Sequence, residues 1–200
     1  MSNHSDPRIV RTRRLLLDAL FDLLKTKDIK KINVQEIAKK ATLNRATLYD
    51  HYKDKYDLFE HLLVDLFHQK ITQRLSPFDK VCSEKFRHIV VASFEFLQEM
   101  NLGCTEREPK FKSLIESKTQ EQLFKLIYQM MKNNCSKKPD SEIEIEAAVV
   151  SWSIFGVGLH WVRNHNSKSP DEYVQKVLAL VAHINEDYFV PEENKIAEFA

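Results

Sequence analysis

Eight consecutive residues, Asn44 to His51, carry an amide, a guanidinium, two hydroxyls, a carboxylate and an imidazole, in the order Asn-Arg-Ala-Thr-Leu-Tyr-Asp-His. If Asn44 caps a helix, the free N–H groups of the first turn can face an anion, and a side chain as small as Ala46 lets the backbone approach it. Thr47 and Tyr49 offer hydroxyls that can bond phosphate oxygens, fixing register without reading a base. Arg45 can grip a guanine edge with two parallel N–H groups, a pairing worth about 1–3 kcal/mol of discrimination. Asp50 can accept from a cytosine amine or simply be solvated, and spacing does not decide between these. Together they suit gripping a nucleic acid duplex. An enzymatic alternative would use His51 or His160 with a nearby carboxylate, but no nucleophile, glycine-rich phosphate loop or metal-ligand cluster accompanies them.

Short helices must hold this set. Asn33 can cap a helix from Val34, and Glu36 can reach back to the Asn33 amide, the reciprocal arrangement of a capping box. Val34, Ile37, Ala38 and Ala41 recur at one-face spacing, and Thr42-Leu43-Asn44 breaks the pattern before a second helix from Arg45 to His51. Asp54 caps a third from Lys55. Two short helices with a three-residue turn form a helix-turn-helix, whose second helix enters the major groove of DNA. The segment RATLYDHYKDKYDLF resembles the DNA-binding domain of the TetR family of bacterial one-component regulators, and the resemblance spans roughly residues 8–62. It implies that His51 and Lys55 contact phosphates, that the chain is a homodimer, and that it answers to a small molecule. Thr42 stands where the family usually has Gly. Either the turn takes a negative φ there or the domain loses about 1 kcal/mol to strain.

Charge is distributed as such a role requires. Residues 1–55 hold thirteen Lys or Arg against seven Asp or Glu, whereas residues 56–200 hold seventeen against twenty-two. A net charge of +1 therefore conceals a basic head and an acidic body. Asp6-Pro7 predicts the start of the first helix, with a stripe of Leu16, Leu17, Leu20, Phe21 and Leu24. Arg8, Arg11, Arg13 and Arg14 crowd its beginning, either as a solvated face or leaning on flanking phosphates.

The fold class expected is all-α, because three Gly, six Pro and abundant Leu, Lys and Glu leave little material for strands. A three-helix helix-turn-helix domain over residues 1–54 should precede a helical ligand-binding and dimerisation domain over residues 55–200. Neither a leader nor a run of about 18 uninterrupted apolar residues is evident, so no membrane partner and a cytoplasmic location are expected. Cys82, Cys104 and Cys135 are odd in number and widely spaced, which suggests neither a disulfide framework nor a metal site, and no cofactor is expected.

In the body, Ser83 should cap one helix, a short helix should follow Pro109, and Leu123 to Met131 should mark another. A Ser141–Glu144 capping box should open a helix that is apolar all round from Ala147 to Val162, and Ser169-Pro170 should open the last. These two doubly apolar helices make a good dimerisation pair, and the resemblance implies that two subunits join there as a four-helix bundle. The interface expected is Ile154, Val157, Gly158 and Trp161 from one helix, with Val177, Val181 and Ile184 from the other. Phe94, Phe111, Tyr128 and Met131, with Trp152, Phe155 and His160, could line an effector cavity or could simply be core. The function expected is therefore a DNA-binding repressor released from a palindromic operator by an unknown small molecule. The alternative is a helical protein-interaction module that does not bind DNA.

Overall fold

The computed structural model describes residues 6–75, 82–102, 109–134, 138–164 and 169–184. Every regular element among them is helical: α1 (Pro7–Leu24), a 3-10 turn (Ile29–Lys31), α2 (Val34–Lys40), α3 (Arg45–His51), α4 (Lys55–Arg74), α5 (Cys82–Leu102), α6 (Pro109–Asn134), α7 (Asp140–Asn164) and α8 (Pro170–Ile184). They fall into two compact units. The first lies within Met1–Asp65 and Glu106–Ile115, the second within Leu66–Thr105 and Glu116–Ala200, so α4 and α6 each contribute to both.

In the first unit the helix starts are set by side chains that satisfy orphan N–H groups. Asp6 accepts from Arg8 N at 2.8 Å, and Asp54 Oδ1 accepts from Tyr56 N at 2.7 Å and Asp57 N at 2.9 Å. The Asn33–Glu36 capping box is closed in both directions, at 2.8 and 3.0 Å. Leu16, Leu20, Ile32, Ile37, Leu48 and Leu58 are fully buried at the centre. Each contributes roughly 1.5–3 kcal/mol of burial. Phe21 departs from the expected stripe: it is exposed, with the Lys25 ammonium 4.6 Å above its ring.

α2 ends in a Schellman motif. Leu43 N donates to Ala38 O at 2.9 Å and Thr42 N to Lys39 O at 3.1 Å, which requires a left-handed residue at Thr42. Thr42 has φ 57°, so the strained alternative is the one realised.

The second unit packs α7 against α5 and α8. Phe94 on α5 lies 5.8 Å from Trp161 on α7 and 6.3 Å from Tyr173 on α8. Ion pairs trim its surface: Arg74 to Glu95, Lys70 to Glu99 at 2.5 Å, and Arg87 to Asp171 at 2.6 Å. By length and composition alone Asp140–Asn164 could cross a membrane. In the fold its buried residues, Ile143, Ala147, Val150, Ile154, Gly158 and Trp161, face the unit's core.

Three expectations about helix limits are corrected. α6 is one helix of 26 residues rather than two, because the polar stretch Glu116 to Gln122 contains no breaker and buries Thr119 and Gln122. α7 begins at Asp140, with Glu142 N and Ile143 N donating to Pro139 O. Ser141 is therefore inside the helix and not its cap. Likewise α5 begins at Cys82, ahead of Ser83. Cys104 and Cys135 lie outside the described residues.

Candidate nucleic-acid interface

α3 is pinned by two residues and presents the rest. Leu48 is fully buried and Tyr52, its C-terminal neighbour in the core, is 3% exposed. Burial pushes the Tyr52 phenol up to about 12, so it stays neutral and apolar in behaviour, edge-on to the His61 ring at 5.3 Å. Asn44, Arg45, Ala46, Tyr49 and Asp50 are all exposed, while Thr47 and His51 are half-buried. The exposed positions i, i+1, i+4 and i+5 from Arg45 form one face of the helix. Asn44 Oδ1 accepts from Ala46 N at 3.1 Å, which places the cap where it was expected. The Arg45 guanidinium donates to the Tyr49 hydroxyl at 3.3 Å and lies 5.5 Å from the centre of that ring.

The Lys55 ammonium is engaged with the backbone. Its Nζ donates to Ile29 O at 2.9 Å, Lys30 O at 3.0 Å and Ile32 O at 2.7 Å. An ammonium has three donors, and here all three point at backbone. Its geometry is that of a clamp, a role that the Lys-x-Lys pattern alone does not reveal.

The basic surplus of the head is partly neutralised within it. Arg14 pairs with Asp18 at 3.0 Å and Asp65 at 3.2 Å, and Lys27 pairs with Glu36 at 2.6 Å. Lys25 and Lys40 both reach Asp22 and hold its carboxyl below the usual carboxylate range. The Lys27 hydrogen bond does the same for Glu36. Arg13 has its Nε buried without a hydrogen-bond partner. Of the four α1 arginines, Arg8 and Arg11 are the exposed ones that hold no ion pair among the described residues.

The residues expected to line an effector cavity are divided between the two units. Phe111 belongs to the first unit, 5.7 Å from the Tyr56 ring and 6.1 Å from Phe59. Phe94, Met131 and Phe155 are buried in the second unit, and Tyr128 stacks on Phe124 at 6.0 Å. Trp152, at 58% exposure, and His160 face outward on α7. The expected interface residues differ in their burial. Ile154, Gly158, Trp161 and Val177 are buried within the subunit, and Val157 is half-buried. The side chains of Val181 and Ile184 lie outside the described residues. What α7 turns outward is Ile145 (67% exposed), Val149 (49%) and Trp152 (58%). Among the described residues, no group of three His, Cys, Asp or Glu could hold a metal ion.

Residues 16–62 match the family model of bacterial regulatory proteins, tetR family. Over 176 residues the chain is 27% identical to the uncharacterized HTH-type transcriptional regulator YxbF of Bacillus subtilis (strain 168), covering 82% of this chain and 43% of that protein. It therefore spans less than half the length of that relative. Its fold is similar to that of Thermus thermophilus FadR, a TetR-family transcriptional repressor solved with lauroyl-CoA (TM-score 0.56, 19% identity, 90% of this chain and 96% of that one). It is also similar to Bacillus subtilis FadR, a transcriptional regulator solved with stearoyl-CoA (TM-score 0.54, 16% identity, 84% and 96%). These relatives are regulators of transcription. With the helix-turn-helix geometry and the family match in agreement, residues 16–62 are a DNA-binding domain of the kind found in bacterial regulatory proteins of the tetR family.

Proposed function

We propose that the chain is a cytoplasmic homodimeric transcription regulator, a repressor that grips double-stranded DNA with α3 and leaves it when a small molecule binds the second unit. The observation that carries this reading is the outward face of α3, where Arg45, Ala46, Tyr49 and Asp50 are exposed while Leu48 holds the helix from beneath. Two copies related by a two-fold axis would set their α3 helices in successive major grooves, about 34–36 Å apart, on a palindromic operator. The outward apolar stripe of α7, Ile145, Val149 and Trp152, continued by Gly156, is the surface for the second copy. Its 4, 3, 4 spacing is that of a helix-packing seam.

An effector acts only through unequal affinity for the DNA-competent and DNA-incompetent states. Because two neighbours of this fold were solved with acyl-CoA, long-chain acyl-CoA is the first effector to titrate. The decisive experiment is a mobility-shift and footprinting assay over the DNA flanking the gene. Protection of a palindrome, with affinity that falls steeply as salt rises, supports the reading. Absence of binding at low salt would leave the protein-interaction alternative standing.

A further inference from the structure

The carbonyls of Ile29, Lys30 and Ile32 close the 3-10 turn that precedes α2. Here they converge on one ammonium, that of Lys55 at the first position of α4, at 2.7 to 3.0 Å. Ile32 is fully buried, so its carbonyl has little water to fall back on, while the Ile29 carbonyl also accepts from Ile32 N at 3.2 Å. In the chain α3 lies between the two ends of this link. Ile32 is followed by Asn33, which caps α2, and Lys55 comes four residues after His51 at the end of α3. One side chain thus closes a loop around the whole helix-turn-helix.

We propose that Lys55 is a positioning residue: it fixes the angle of α3 through the three-carbonyl clamp and makes no phosphate contact of its own. This deepens the DNA-binding reading and rests on it. A phosphate bond from Nζ would require breaking one of the three present, since an ammonium has no fourth donor. Arginine cannot substitute, because a planar guanidinium does not converge three N–H groups on acceptors grouped around a point.

The test uses the full chain with its footprinted operator, titrated with salt for the native protein, Lys55→Met and Lys55→Arg. Each phosphate neutralised contributes about 0.9 to the slope of log K against log salt. Both variants are expected to bind about tenfold or more weakly, since the buried Ile32 carbonyl loses the ammonium and the link across the helix-turn-helix is broken, while the slope stays that of the native protein. A slope lowered by about one per subunit in Lys55→Met, with Lys55→Arg binding like the native chain, would overturn the proposal in favour of a phosphate contact. Native-like affinity in folded Lys55→Met would overturn it as well, because the clamp would then serve stability alone. Should the variants not fold, the ammonium 15N signal of Lys55 in the native protein decides. It is expected to exchange slowly with water and to keep its shift when operator is added, and a large shift on binding refutes the clamp. If the native protein shows no salt-dependent binding, the DNA reading fails, whereas the free-protein signal still reports whether the clamp exists.

Discussion

At Thr42 a β-branched side chain occupies the left-handed region, with φ 57°. The position is demanded by the bonds that end α2, Leu43 N to Ala38 O and Thr42 N to Lys39 O, and glycine satisfies that demand without a Cβ penalty. Thr42→Gly is expected to stabilise the chain by about 1 kcal/mol, the relieved strain outweighing the added freedom of the unfolded chain. Urea unfolding should show a raised midpoint with an unchanged slope, and a lowered midpoint would mean that the hydroxyl's 2.6 Å bond to Ala41 O matters more than the backbone. The sequence alone left two outcomes open here, because the identity of the turn residue says nothing about which carbonyls it must reach. The Arg45–Tyr49 contact was equally illegible. Four-residue spacing allowed it, yet Arg45 read as a base reader and Tyr49 as a separate phosphate donor. With the guanidinium lying against the tyrosine, the two should not act independently. Operator affinities of Arg45→Ala, Tyr49→Phe and the double variant are expected to be non-additive by about 0.5 kcal/mol or more. Strict additivity would return Tyr49 to a purely phosphate role.

Caps and short amphipathic faces made α1 to α4 readable to the residue at their N-termini, because each cap is a local event between neighbours in sequence. α6 and α7 were harder for opposite reasons. In α6 a polar stretch hid continuity, since the residues it buries, Thr119 and Gln122, are not apolar. In α7 an unbroken apolar run hid orientation, since periodicity vanishes when nearly every position is greasy. The two glycines of α7 show what was lost. A Cβ on Gly158 would lie 3.0 Å from Leu97 Cδ1 and 3.1 Å from Phe94 Cε1, whereas one on Gly156 would meet nothing within 4 Å. Gly158→Ala is therefore expected to destabilise the fold by about 1–3 kcal/mol through overpacking against α5. Gly156→Ala should stabilise the isolated subunit by up to about 1 kcal/mol through helix propensity. Thermal unfolding of the two variants checks the contrast, and equal effects would mean that α7 is turned differently about its axis.

For the whole molecule, the outward stripe of α7 reassigns the surface through which two copies would meet. The all-apolar character of α7 did not distinguish its faces, because only packing reveals that Ile154 and Trp161 are already covered by the subunit's own core. A solvent-facing Trp152 at 58% exposure, flanked along the helix by Val149 and Ile145, leaves apolar surface that a second copy can remove from water. Trp152→Glu sets a charge in the middle of that surface, and desolvating an unpaired carboxylate in an interface is strongly unfavourable. In sedimentation velocity the native chain is expected to run as a dimer and Trp152→Glu as a monomer, with the variant's operator affinity falling because each subunit must then bind a half-site alone. The two tryptophans give an internal check. Trp161 is fully buried in the subunit, so its emission should stay blue at all concentrations, while that of Trp152 should shift to the red as the native protein is diluted into monomers. A native chain that is monomeric at concentrations where it binds DNA would remove the dimer from the mechanism. A Trp152→Glu variant that remains dimeric would move the interface to another face.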